Sequence, residues 1–337
     1  MKNVSIKDIA KMAGVNPSTV SLVLNGKAKQ MRISDSLSKR IQTFAKQAGY
    51  QPNHIAVSLR KGSTKILGLI VEDISNNFFA CLAKVIEDEV QLLGYRAVYC
   101  STENNIEKGQ DLINMLFQRQ VDGYLITPTA GMEKNIRQLV QQHKPVVLID
   151  RYFPGLNVPY VVIDNYAGAL QGMEYLIKKG YRKIAFVTVD LPLIQMKERE
   201  RAYIETLQRH KMPVNKQMIL KLHYADVNGK TTAEITSFIK NNTAIDAIFF
   251  ATNYLGIAGL ESIKELELKI PNELAVICFD DHDVFKLYTP AITCIKQPIE
   301  DIAKTAIQFL MKQMNSGVFL SGMKAVLNPV FIERQSA

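Results

Sequence analysis

The chain reads as a small all-α head followed by an α/β body of two lobes with parallel sheets, and three observations lead to that reading. Positive charge is concentrated at one end: the first 65 of 337 residues carry 12 Lys and Arg against Asp8 and Asp35 alone, a formal +10 within a whole-chain +9. In that segment apolar residues recur at helical spacing between short turn signals, whereas beyond Lys65 near-continuous apolar runs alternate with helix-length segments. The length of 337 residues also exceeds one domain on the usual scale of about 100–200 residues each.

The first helix is expected over Ile6, Ile9, Ala10 and Ala13, ending at Gly14, the residue type that most readily takes the left-handed conformation closing a helix. Asn16 can cap a second helix, Pro17 fits its first position, and Val20, Val23 and Leu24 continue the apolar face. Two short helices across a tight glycine turn form a helix-turn-helix, whose second helix offers its N-terminal residues to base edges in the DNA major groove. Here those are Pro17, Ser18, Thr19, Ser21 and Leu22. A third helix from about Ser34 to Ala48 buries Leu37, Ile41, Phe44 and Ala45 and stops at Gly49, completing a module over residues 1–50. Residues 51–64 contain a helix candidate between Asn53 and Gly62, too short to be stable alone. Lys and Arg grouped on such a module displace counterions from phosphates, and their interleaving with a patterned apolar skeleton argues against a disordered tail.

These residues also carry a resemblance. Ile6-Lys7-Asp8-Ile9-Ala10-Lys11, Ala13-Gly14-Val15, Thr19-Val20-Ser21 and Val23-Leu24-Asn25, then Gly49-Tyr50, Pro52-Asn53, Ala56 and Leu59, resemble the LacI/GalR family of bacterial transcription regulators over essentially the whole chain. The resemblance implies that residues 52–60 are a hinge helix that orders on operator DNA and pairs with its dimer mate in the minor groove, with Leu59 as the wedge that kinks the duplex. It implies DNA contacts from Ser5, Asn16, Asn25, Asn53, Ala56 and Arg60 besides the recognition-helix residues. Two positions depart from the family pattern: Leu22 stands where several members carry a base-reading Arg, and Val57 where a hinge Arg is frequent. Specificity is therefore expected to shift toward thymine methyl groups and toward Ser18 and Thr19. The loop from Gly26 to Arg32 is a few residues longer than usual, and phosphate contacts are expected from it.

In the body, apolar runs at Ile66–Val71, Ala97–Tyr99, Gly123–Ile126 and Val146–Ile149 are expected as strands, separated by helices at about 77–93, 106–119 and 133–142. A second series follows at Ile184–Val187, Ile219–Leu222, Ala247–Phe250 and Ala275–Cys278. Runs apolar throughout indicate parallel sheets covered on both faces. Gly94-Tyr95-Arg96 and Gly180-Tyr181-Arg182 each close a helix before a strand, a modest internal echo. The lobes are expected at 65–163 with 293–323 and at 164–292 with 324–337, a helix from about Pro298 to Met314 returning to the first. Paired lobes of this kind resemble the periplasmic-binding-protein architecture, in which family members hold a small effector at the carboxyl ends of the strands. Residues just after strands then become effector candidates: Asp73, Phe78, Phe79, Thr127, Asp150, Arg151, Asn253 and Asp280, with Asn77, Asp190, Thr252 and Asp281 nearby. Arg199 matches the position of an effector-contacting Arg of the family, and with Arg151 it suggests a clamp for the carboxylate of a sugar acid or the phosphate of a sugar phosphate.

Other function classes find less support. No G-x-x-x-x-G-K, post-strand G-x-G-x-x-G, H-E-x-x-H or G-x-S-x-G is present, so an enzyme is not expected, and neither is a cofactor. The five histidines lack metal-ligand spacing, and in Asp280-Asp281-His282-Asp283 successive side chains alternate in direction, so a strand end with one or two ligand-facing groups is expected rather than a metal site. Cys81, Cys100, Cys278 and Cys294 have no C-x-x-C spacing and read as small core hydrophobes. With no export signal and no apolar stretch of membrane-spanning length, a cytoplasmic location without membrane contact is expected. An exported solute-binding protein would have no use for the basic head. A regulator that answers to a partner protein stays open beside one that answers to a small molecule. The sequence thus favours a homodimeric repressor of operator DNA whose affinity responds to a carbohydrate-like effector.

Overall fold

A computed structural model describes residues 4–50, 62–224, 229–317 and 320–337, and the chain divides into two units, Met1–Thr64 and Lys65–Ala337. In the first unit α1 (Ile6–Ala13), α2 (Pro17–Leu24) and α3 (Asp35–Gln47) enclose a core of Ile9, Ala10, Ala13, Val20, Val23, Ile41 and Ala45. Ser5 and Asp8 form a reciprocal capping box that starts α1, and Gly14 closes it at φ 65°. Asn16 starts α2 by accepting from the Ser18 amide, with Pro17 in the first turn where its missing N–H has no consequence. The hinge segment, with Asn53, Ala56, Val57, Leu59 and Arg60, lies outside the described residues.

The second unit is built from two six-stranded sheets of the same design. In the first lobe lie β1 (Ile66–Val71), α4 (Asn77–Leu92), β2 (Arg96–Ser101), α5 (Ile106–Gln118), β3 (Gly123–Ile126), α6 (Glu133–Gln141), β4 (Val146–Ile149) and β5 (Tyr160–Ile163). The second lobe holds α7 (Asn165–Lys178), β6 (Ile184–Val189), α8 (Ile194–Arg209), β7 (Ile219–Leu222), α9 (Lys230–Asn241), β8 (Ala247–Phe250), α10 (Asn253–Glu265), β9 (Ala275–Phe279), α11 (Asp283–Leu287) and β10 (Thr293–Lys296). The chain then returns through α12 (Ile299–Ser316) and β11 (Lys324–Leu327) before finishing with β12 (Val330–Ile332). Strand orders are β11-β5-β4-β3-β1-β2 and β12-β10-β9-β8-β6-β7, so the sheets match position for position. Among the described strands only β12 runs antiparallel, against β10.

Two boundaries and one strand differ from the sequence expectation. The stretch at 293–296 is not the start of the first-lobe return, because β10 pairs with β9 in the second sheet. Residues 324–327 do not belong to the second lobe, because β11 pairs in parallel with β5; only β12 crosses back. The strand β5 itself went unrecognised: Pro159 precedes it, and a loop rather than a helix separates it from β4. The chain therefore passes between lobes at 163–165, 296–299 and 327–330, and the Asp164 amide donates to the Leu327 carbonyl at 2.8 Å, tying two of these passages together. The Gly-Tyr-Arg echo leads into β2 and β6, which occupy different positions in the matched orders, so it is not the mark of the repeat. Cys278 and Cys294 are buried as expected of core residues, but Cys81 is exposed on α4 and Cys100 half-buried in the edge strand β2.

Packing between sheets and helices is close. Phe186, Phe249, Phe250 and Phe279 are fully buried in the second lobe, each contributing about 1.5–3 kcal/mol over exposure. Helix α10 approaches β8 so nearly that a Cβ on Gly259 would stand 2.1 Å from Phe250 Cζ. Gly259→Ala is expected to destabilise the body by about 1–3 kcal/mol through overpacking. A lower urea midpoint at unchanged slope would report it; an unchanged midpoint would mean that the ring has room to move.

Candidate functional site

On the head, the described Lys and Arg side chains, Lys7, Lys11, Lys27, Lys29, Arg32, Lys39, Arg40 and Lys46, are all exposed. One is partly committed inside the module: Arg40 Nη2 donates to the Ala13 carbonyl at 2.7 Å, satisfying an end of α1. Pro17 and Ser18 are exposed at the start of α2, Thr19, Ser21 and Leu22 are half-buried along it, and Asn25 is exposed at its end. Several proposed DNA contacts already have local duties. The Ser5 hydroxyl donates to Asp8 at 2.7 Å, the Ser18 hydroxyl to Asn16 at 2.7 Å, and Asn25 Nδ2 to the Ser21 carbonyl at 2.5 Å. These bonds secure the start of α1 and both ends of α2.

Within the second unit, the carboxyl ends of both sheets meet at a cleft beside the three passages. Its deep end, about 30 Å³, is walled by Phe78, Phe79, Asp150, Arg151, Arg199 and Asp280 among others, bringing together six of the effector candidates. A wider end of about 550 Å³ includes Asp73, Asn76, Asn77, Asn253 and His282. Asp150 and Asp280 follow corresponding strands, β4 and β9, and both have left-handed backbone, φ 68° and 70°. Asp tolerates that conformation better than most residues, and each lobe uses it to turn one carboxylate into the cleft. This pair is the true echo of the repeat.

Arg151 lies 3% exposed and each of its guanidinium nitrogens is engaged: it pairs with Glu72, donates to Asp150 at 3.0 Å and to Asn104 at 3.0 Å. Arg199, 2% exposed, donates to Asn165 Oδ1 at 2.9 Å and to the Ala251 carbonyl at 2.5 Å, lies 3.8 Å from Asp280 and stacks 3.5 Å from the Phe279 ring centre. The arginine clamp for an acidic ligand is therefore not formed, because both side chains already serve protein acceptors. Burial raises the Asp150 and Asp280 carboxyls above the ordinary range, opposed by Arg151 and Arg199 respectively, and desolvation lowers Arg199. Among the described residues, hydrogen bonds that span the lobes include Asn253 Nδ2 to Asn76 Oδ1 at 3.1 Å and Gln195 Nε2 to Asp150 Oδ2 at 3.4 Å.

Other candidates stand apart. Thr127 is buried with no partner for its hydroxyl among the described residues and lies outside the cleft walls just described, as does the exposed Asp190. Asp281 points to Arg334 at 2.9 Å, while its neighbour Asp280 faces the cleft, the alternation expected at a strand end. Among the described residues no group of His, Cys, Asp and Glu could hold a metal ion, and no helix is long and apolar enough to cross a membrane. Sequence reasoning missed Glu72, Gln195, Tyr224, Tyr254 and Gln297, all in the deep wall. Two of them carried the post-strand signal, Glu72 as the first of the adjacent carboxylates Glu72-Asp73 after β1 and Gln297 directly after β10.

Comparison with known proteins adds a relationship to this geometry. Residues 5–53 match the family described as bacterial regulatory proteins, lacI family, and residues 173–337 match the periplasmic binding protein-like domain. Catabolite control protein A of Priestia megaterium is 30% identical over 93% of this chain and 93% of its own, and the HTH-type transcriptional regulator KdgR of Bacillus subtilis is 31% identical over 92% and 91%. Among solved structures, the lac repressor dimer bound to operator and the anti-inducer ONPF aligns with a TM-score of 0.83 at 18% identity over 99% of both chains. The complex of the transcriptional regulator CelR with cellobiose aligns at 0.73 and 23% identity, over 99% of this chain and 100% of its own. At those identities the solved structures speak to the fold.

Proposed function

The chain belongs to the LacI family of bacterial regulatory proteins, DNA-binding transcription regulators, and on that premise we propose that it is a homodimeric repressor whose operator affinity is set by a small, carbohydrate-like effector between the lobes. The observation that carries the effector part is Arg199. It stands in the cleft wall and holds Asn165, the first residue past one interlobe passage, so a ligand that shifts Arg199 acts on the segment about which the lobes move. Two matched lobes joined by three short passages supply the bistable element, and coupling through them is reciprocal between effector and DNA. The cleft is polar with aromatic walls, which suits hydroxyl groups and an apolar ring face. Both arginines already serve protein acceptors, which favours a neutral or cationic effector over a sugar acid or sugar phosphate.

On the DNA side, the exposed start of α2 and the cationic surface of the head support major-groove reading, with Ser18, Thr19 and Leu22 as base-facing candidates and Leu59 as the minor-groove wedge. Selection of tight binders from randomised duplexes, followed by titration with a panel of sugars, tests both halves. The expected result is a palindromic site bound by a dimer, with affinity changed about 5–150-fold by at least one ligand. An asymmetric site bound by one protomer would overturn the dimer reading. Insensitivity to every small ligand would overturn the effector reading and favour a partner protein.

A further inference from the structure

We propose that the cleft takes a ligand bearing a protonated amino group, seated at the deep end between Asp150 and Asp280, with the rest of the molecule in the wide end; this rests on the effector reading above. Among the described residues three carboxylates, Glu72, Asp150 and Asp280, share the deep wall with two cations, Arg151 and Arg199. Arg151 is divided between Glu72 and Asp150. Arg199 gives its close hydrogen bonds to Asn165 and Ala251 and meets Asp280 only at 3.8 Å. The wide end adds Asp73 and Glu103, with His282 and no Lys or Arg among the described residues of its wall. A concave site with this balance attracts positive charge.

A second, independent observation is a pair of glutamines. Gln195 and Gln297 are each 3% exposed, and each directs its Nε2 at one of the two aspartates, Gln195 at Asp150 and Gln297 at Asp280. Those bonds fix the amide orientation, since a flip would set carbonyl oxygen against carboxylate. Both Oε1 atoms are consequently buried acceptors that no donor among the described residues reaches. Buried acceptors in a ligand cleft call for a donor, and an ammonium offers three donors and no acceptor.

Aromatic rings complete the match. Phe78 and Phe79 meet edge-to-face at 4.9 Å, and Tyr224 and Tyr254 lie 6.3 Å apart in the same wall. Aromatic faces attract cations as well as covering sugar rings. Size agrees too: about 30 Å³ admits one group the size of a water or an ammonium, while the adjoining 550 Å³, which shares Asn76, Tyr224 and Tyr254, can take a monosaccharide body. Burial holds Asp150 and Asp280 above the ordinary carboxyl range, a penalty that a cation between them would relieve.

The test is calorimetric titration of the full-length protein at pH 6.5 with glucosamine, galactosamine and mannosamine, their neutral parents, their N-acetyl derivatives, gluconate and glucose 6-phosphate. At least one amino sugar is expected to bind about tenfold or more tightly than its neutral parent and its N-acetyl derivative, as a charge-assisted hydrogen bond would provide. Asp280→Asn should erase that preference. Gln195→Leu, which removes the unpaired acceptor and the 3.4 Å donor to Asp150 but no charge, should weaken the amino sugar and leave the neutral parent unchanged, and it decides the matter if Asp280→Asn does not fold. Neutral or acidic sugars binding as tightly as the amines would overturn the ammonium site and leave the effector reading standing. Absence of binding by the whole panel would overturn both.

Discussion

Arg199→Ala is expected to abolish the effector's influence on DNA binding and to lower the stability of the body by about 3–5 kcal/mol, the usual range for breaking a buried ion pair from one side. The size follows from what is left behind. Asp280 would keep Gln297 but lose the cation 3.8 Å away, Asn165 Oδ1 and the Ala251 carbonyl would lose their donors, and the ring of Phe279 would lose a stacked guanidinium. Arg199→Lys separates the two effects. A lysine restores charge beside Asp280, so much of the stability should return, but one ammonium cannot reach Asn165, Ala251 and Asp280 with the geometry of a planar fork. The response should therefore stay impaired. Urea denaturation measures the first quantity, and operator titration with and without effector the second. A full response in Arg199→Ala would show that the signal bypasses the contact between α8 and the 163–165 passage.

Legibility of this fold in the sequence followed the physics of each element. Strands apolar on both faces, such as Ala247–Phe250, stand out because a parallel sheet between helices leaves no solvent face to encode. Edge strands lack that signal: β11 alternates between exposed and half-buried residues and β12 has no fully buried one, and the lobe assignment of β11 depends on pairing with β5 across more than 100 residues of chain, which local pattern does not carry. The cleft was legible where a strand end and a charged residue coincide, as at Asp150 and Asp280. It was illegible at Gln195, Tyr224 and Tyr254, polar or aromatic side chains in or beside helices and loops that become cleft wall only through tertiary packing, and it was missed at Gln297 because the sequence expectation places β10 in the other lobe. The arginine clamp failed for a related reason: a sequence shows the two cations but not Glu72, Asp150 and Asn104 closing around one of them.

Specific DNA affinity is expected to fall about 10³–10⁵-fold between 50 and 200 mM salt, provided that the dimer neutralises 6–10 phosphates. The first 65 residues carry a formal +10, with all eight described Lys and Arg of the head exposed, whereas the rest of the chain is near neutral, so most of the salt dependence must arise in this N-terminal segment. The lysines and arginines should not contribute equally. Lys27, Lys29 and Arg32 lie exposed on the loop between α2 and α3, and replacing one by alanine should reduce the slope of log K against log salt by about 1 per protomer while weakening all sequences alike. Arg40 should behave differently, because its guanidinium already donates to the Ala13 carbonyl; Arg40→Ala should lower the head's melting temperature more than the slope. Leu22→Ala touches no phosphate in this scheme, so it should relax base preference at fixed slope. Fluorescence anisotropy across a salt series with one selected and one scrambled duplex resolves all three cases. A slope unchanged by loop substitutions would mean that phosphate contact is made elsewhere on the head, and the assignment of Gly26–Arg32 as a phosphate-binding loop would be wrong.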